Sequence, residues 1–127
     1  MKNVLLVDDD SVFNFLNTRT LERIGIASDI QTALNGEQAL DLFNGYYQGA
    51  GTLPDVVLLD LNMPVMNGFE FLEAFHLLNL PNKQQVKIII VSSSQDERDV
   101  KRAQALGADG YLAKPITEKT LGEALAS

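Results

Sequence analysis

Asp8-Asp9, Asp60, Ser92 and Lys114 are the residues of this sequence whose types could carry chemistry together: three carboxylates, a hydroxyl and an ammonium, each following a short apolar run. Carboxylates gathered in one crevice repel one another and raise each other's pKa unless a cation neutralises them. A hard divalent ion meets that need. Mg2+ fits best, because it takes one or two carboxylates, keeps several waters and completes its shell with phosphate oxygens. An ionised Asp so placed can attack a phosphoryl group and form an aspartyl phosphate, while an ammonium and a hydroxyl compensate charge on the equatorial oxygens. In that scheme Asp60 is the nucleophile, Lys114 the second cation and Ser92 the hydroxyl donor.

These residues can cooperate only if the fold brings them together. Residues 4–7, 56–59 and 88–91 are apolar without alternation, the pattern of strands buried on both faces. Residues 29–34 and 110–113 are weaker strand candidates. Helical patterns at 11–24, 37–46, 68–78, 96–106 and 117–126 fall between and after the strands. Asp10 or Ser11, Asp96 and Thr117 are available as N-caps, and Gly25 and Gly107 stand just past two helix ends. The alternation gives an α/β chain of the (βα)5 type with a doubly wound parallel sheet. Parallel strands all end on one edge, where ligands bind in open sheets, and that edge collects the five residues above. Residues 45–54 read as an extended loop, to which no chemistry is assigned.

The composition narrows the classes of function. The 127 residues suit one domain, read as spanning 1–127, and Met1 reads as a true start. With 46% hydrophobic and 21% charged residues the chain has the balance of a soluble globular protein. The absence of cysteine removes disulfides and thiolate chemistry. No signal peptide or membrane span is visible, so a cytoplasmic location without membrane contact is expected. A net charge of -7 argues against direct nucleic-acid binding.

The segments VLLVDDD, VVLLDLNMPVMNG, IIIVSSS and GADGYLAKP resemble the receiver domains of two-component response regulators, the chemotaxis-type single-domain receivers included, over essentially the whole chain. The resemblance implies a flavodoxin-like sheet of order 2-1-3-4-5 and a switch activated by phosphorylation on Asp60. It implies metal ligation by Asp8, Asp9, Asp60 and the Asn62 carbonyl, Asp9 more directly and Asp8 largely through water. Ser92 and Tyr111 stand at the family's switch positions, Lys114 at its lysine, and Lys114-Pro115 is implied to be cis. Met63-Pro64 and Gly68 match the loop after the acceptor, and Asn62 and Ser94 stand where side chains set the lifetime of the phosphorylated state. The implied partners are a sensor histidine kinase or histidine phosphotransfer protein as donor and an output protein that the sequence does not name; a homodimer is a further candidate. The chain would be no conventional enzyme, assisting only its own phosphoryl transfer and hydrolysis.

Plainer readings compete at each position. An Asp after a strand is often only an N-cap, and Asp10 is read that way. Lys114 alone would be a solvated charge and residues 92–94 a polar loop. Tyr111 on physics alone is as readily core as switch. His76 is read as structural or solvent-facing, and Phe69, Phe71, Leu72, Phe75 and Leu78 as a helical core stripe. A rival enzyme class, the haloacid-dehalogenase-type phosphatases, fits Asp8-Asp9-Asp10-Ser11-Val12 with Asp8 as nucleophile and Asp10 as general acid. It leaves Asp60 without a role and has only Glu118 and Glu123 for a further acidic pair. A flavodoxin would need hydroxyls and amides where this chain has three carboxylates.

Overall fold

The computed structural model describes residues 2–49, 53–93 and 96–125. Five strands, β1 (Lys2–Val7), β2 (Ala27–Ala33), β3 (Val56–Leu59), β4 (Lys87–Ser92) and β5 (Gly110–Ala113), form one sheet of order β2-β1-β3-β4-β5. All neighbours are parallel. This is the doubly wound, flavodoxin-like order that the resemblance implies. The register brings Val7 beside both Ala33 and Leu59, Leu59 beside Ile90, and Ser92 beside Ala113. The chemistry-bearing residues therefore converge on one edge.

Five helices, α1 (Ser11–Ile24), α2 (Gly36–Tyr47), α3 (Gly68–Leu77), α4 (Glu97–Ala105) and α5 (Glu118–Leu125), cover the two faces. Val4, Leu6, Val56, Leu58, Ile89 and Val91 pack with Leu21 of α1 and Leu121 and Leu125 of α5. The opposite set, including Leu5, Val57, Leu59 and Ile90, packs with Phe43 of α2, Phe71 and Phe75 of α3 and Ala103 of α4. Successive residues of each central strand thus feed opposite cores, which explains the unbroken apolar runs. None of the described helices is long and apolar enough to cross a membrane.

Local chemistry sets the helix ends nearest the converging edge. Asp10 accepts from the backbone N–H groups of Val12 (3.0 Å) and Phe13 (3.2 Å), while Gly25, left-handed at φ 76°, closes α1 at its far end. Asn67 and Glu70 form a reciprocal capping box at the start of α3. The next residue, Gly68, lies so close to the strand end that a Cβ there would stand 2.6 Å from the Asp60 carbonyl oxygen and 2.9 Å from Leu61 Cα. Backbone cannot yield as a side chain can. Gly68→Ala is therefore expected to destabilise the fold by about 2 kcal/mol or more. Thermal denaturation should show a fall of several degrees; an unchanged midpoint would contradict the close approach of Gly68 to the strand end.

Three expectations need correction. The helix before the loop does not stop at Tyr46: Gly45 and both tyrosines are helical, so the first part of the expected 45–54 loop belongs to α2. The reason is tertiary, since the Tyr46 hydroxyl donates to the Gln31 side chain of β2 and its ring meets Phe43 edge-on at 5.5 Å. Residues 50–52 of that loop, and Ala126 of the expected last helix, lie outside the described residues. β2 begins two residues earlier than expected, and a short 3-10 helix, Lys83–Gln85, was not anticipated. Its Lys83 ammonium donates to the His76 and Leu78 carbonyls, at 2.6 and 2.8 Å, and so satisfies the last turn of α3.

Candidate functional site

The edge gathers the expected residues. Asp8 follows β1 and Asp60 follows β3, both buried, while Asp9 is exposed. One carboxylate oxygen from each of the three can be chosen so that all lie within 4.8 Å of one another. Lys114, just after β5, reaches across to them: its ammonium donates to Asp8 Oδ2 at 2.8 Å and stands 3.5 Å from Asp60 Oδ1. The other Asp8 oxygen accepts the Asp10 N–H at 2.9 Å. The Lys114-Pro115 peptide is cis, as the resemblance implies.

Charge at this edge is unbalanced. Burial first, and then the facing Asp8 carboxylate, push the Asp60 carboxyl up to about 6, against the pull of Lys114 and of a hydrogen bond from the Asn62 backbone N–H. For Lys114, burial works against the ammonium, but the hydrogen bond to Asp8 and the charges of Asp60 and Asp8 outweigh it and raise its pKa above the ordinary lysine value. Lys114 thus answers Asp8 and Asp60, while Asp9 adds a third carboxylate to the same edge. The donors are all hard oxygens, the set that suits Mg2+ and not a thiolate- or imidazole-loving metal. The acidic trio therefore fits the ion expected from the sequence.

Ser92 ends β4 fully buried, and its carbonyl accepts the Lys114 N–H at 3.0 Å, tying the lysine segment to the same edge. Tyr111 pairs with Ile90, two residues before Ser92, and packs half-buried against the core that holds Ile90. Side chains two apart on a strand share a face, so Ser92 and Tyr111 lie on the same side of the sheet. Asn62 is exposed beside Asp60. Ser94 lies outside the described residues.

The plainer readings sort cleanly. Asp10 caps α1, so the carboxyl that the haloacid-dehalogenase reading needs as general acid is committed to backbone N–H groups. His76 is exposed on α3, and Phe69, Phe71, Leu72 and Phe75 are buried, with Leu78 half-buried against the same core. Sequence reasoning missed Asn14, whose buried carboxamide donates to the Asp8 carbonyl at 2.9 Å and fixes the acidic pair from α1. Its signal was available: Asn14, Asn17 and Leu21 are the buried residues of α1, and a polar residue on a helix's inner stripe needs a partner.

Comparison with known proteins agrees with this fold. A family model described as the response regulator receiver domain matches residues 4–126. The nitrate/nitrite response regulator protein NarL of Escherichia coli K12 is 38% identical over 125 residues, covering 96% of this chain and 52% of that protein. The probable methanogenesis regulatory protein FilR2 of Methanothrix harundinacea is 30% identical, covering 93% of this chain and 75% of that protein. The chain thus spans about half the length of NarL and about three quarters of FilR2. Among solved structures, a two-component response regulator from Cytophaga hutchinsonii superposes with a TM-score of 0.86 at 34% identity, covering 98% of this chain and 93% of that one. The chemotaxis protein CheY4 of Vibrio cholerae gives 0.81 at 30% identity, covering 99% and 97%.

Proposed function

The chain belongs to the response regulator receiver domain family, and from that premise we propose that it is a phosphorylation-activated switch of a two-component phosphorelay with Asp60 as phosphoacceptor. The observation that carries this reading is the position of Asp60, buried at the end of β3 within reach of Asp8, Asp9 and Lys114. The family's donors are read as a sensor histidine kinase or a histidine phosphotransfer protein. Transfer then forms a bond between an Asp60 carboxylate oxygen and phosphorus, and the bond from phosphorus to the donor nitrogen breaks with its electron pair leaving on the imidazole.

Asp8, Asp9, Asp60 and the Asn62 carbonyl are the proposed holders of Mg2+, which when bound supplies positive charge against the phosphoryl oxygens. Lys114 supplies the second cation from the protein itself, and the Ser92 hydroxyl donates to a remaining oxygen. Asp8, fixed by Lys114, the Asp10 N–H and Asn14, holds this arrangement rigid. The same residues would serve hydrolysis of the aspartyl phosphate, so the chain assists its own chemistry without turning over a separate substrate. Phosphorylation then alters a surface of α4, β5 and α5 that an output protein reads.

The remaining parts of the reading are that residues 1–127 act as one receiver unit in the cytoplasm, without membrane or direct nucleic-acid contact, and that a homodimer is an admissible state. The acidic balance of the chain supports the absence of direct nucleic-acid contact.

Mg2+ should raise the melting temperature, because the ion binds the folded carboxylate trio and relieves its repulsion. At about ten times its dissociation constant the gain is about 1.4 kcal/mol, a rise of a few degrees. Asp9→Asn should shrink that rise. An equal response of wild type and variant in a differential scanning experiment would count against the trio as the binding site.

A further inference from the structure

The Lys114 ammonium has a third neighbour besides its two carboxylates. It lies over the ring of Phe13, 4.4 Å from the centroid, close enough for a cation–π attraction. Phe13 belongs to the first turn of α1, where the Asp10 carboxylate accepts its backbone N–H, and its half-buried side chain packs against the core formed by Val4, Leu6 and Leu121. The ring is therefore held from both ends, by the cap and by the core.

We propose that Phe13 is a positioning residue for phosphoryl transfer, its ring face holding the Lys114 ammonium in place between Asp8 and the phosphoacceptor; the inference rests on Asp60 being that acceptor. A lysine head sits on a flexible four-carbon stem and is strongly hydrated, so two carboxylates on one side leave it free to turn toward water. Closing that side with another carboxylate would add a fourth negative charge to a site that must admit a phosphoryl group. An aromatic face attracts the cation with no net charge and no lone pair to compete with the incoming oxygens. The third aspartate of the first run also gains a role. By capping α1 it sets the turn that presents Phe13.

The test compares wild type with Phe13→Leu, which keeps an apolar side chain but no ring, and Phe13→Tyr, which keeps the ring. Acetyl phosphate with Mg2+ gives the labelling rate, and NMR of the metal-free proteins gives the Lys114 Hε shifts, which a ring face moves upfield. The expected result is a rate about threefold to thirtyfold lower in Phe13→Leu, near wild type in Phe13→Tyr. The upfield Hε shift should disappear only in the leucine variant. Equal rates in all three proteins, or a Phe13→Leu loss without any change at Lys114 Hε, would overturn the inference while leaving the acceptor reading intact. A wild type that takes no label would overturn both. Melting curves of the two variants detect any loss of fold, and a folded Phe13→Leu protein that keeps the upfield Lys114 shift contradicts the contact itself.

Discussion

Asp60→Asn is expected to take no label from acetyl phosphate and Mg2+, a loss of at least about a thousandfold, whereas Asp8→Asn is expected only to slow labelling. The difference follows from their roles. An amide nitrogen or oxygen at position 60 is not a carboxylate nucleophile, so the bond to phosphorus cannot form. Asp8 acts through the metal it is proposed to help hold and through Lys114 and the Asp10 N–H, which donate to its two oxygens. Asp60→Asn should also make the metal-free protein more stable at neutral pH. The Asp60 carboxyl stands at about 6 against an ordinary value of 3.8, so its proton contributes stability that is complete below about pH 4 and is lost as pH rises through about 6. Above that pH the folded protein carries a buried charge it would be better without. The metal-free wild type should therefore melt lower at pH 7.5 than at pH 5.5. In Asp60→Asn that difference should shrink, and the midpoint at pH 7.5 should rise. A variant that melts lower than wild type at pH 7.5 would mean that Asp60 is needed by the fold and not merely tolerated by it.

Ser92→Ala is expected to separate chemistry from output. The phosphoryl group brings about two negative charges and three acceptor oxygens, and a buried hydroxyl at the edge of the site can donate to one of them. Loss of one such hydrogen bond costs about 1.5 kcal/mol, so labelling of Asp60 should slow about tenfold and not disappear. The larger effect lies downstream. Ser92 and Tyr111 share one side of the sheet on adjacent strands, so an inward shift of the hydroxyl vacates space on the side where the Tyr111 ring packs. A signal moves a two-state equilibrium only by its differential interaction with the two states, and the hydroxyl is the group that distinguishes them in this scheme. Amide NMR with beryllofluoride, a phosphoryl mimic, should move resonances around Tyr111 in wild type and leave them nearly still in Ser92→Ala. Equal shifts in both would remove Ser92 from the switch.

What could be read from the sequence follows the physics of each element. The central strands announce themselves because both faces are buried, so 56–59 needed no adjustment and 4–7 and 88–91 lacked only their end residues. Edge strand β2 gives no such run: Ser28, Asp29 and Thr32 face solvent, and its start is set by pairing with β1. Residues 45–54 read as a loop, but the Tyr46 contacts with Gln31 and Phe43 outweigh the local cost of Gly45 in a helix, which is only about 1 kcal/mol. At the site, Asp8, Asp9, Asp60, Ser92 and Lys114 were legible because parallel strands must end together. Phe13 was not, since its role depends on which face of α1 meets Lys114, and for Asn14 the inner-stripe position signals a need for a partner but not that the partner is the Asp8 carbonyl, a tertiary fact.

The acceptor assignment is the claim on which the rest depends, and one measurement reaches it directly. Wild-type protein is incubated with acetyl phosphate and Mg2+, the aspartyl phosphate is trapped by borohydride reduction, and the modified residue is mapped by mass spectrometry. Modification at Asp60 alone is the predicted result; modification at Asp8, or at neither residue, would contradict it.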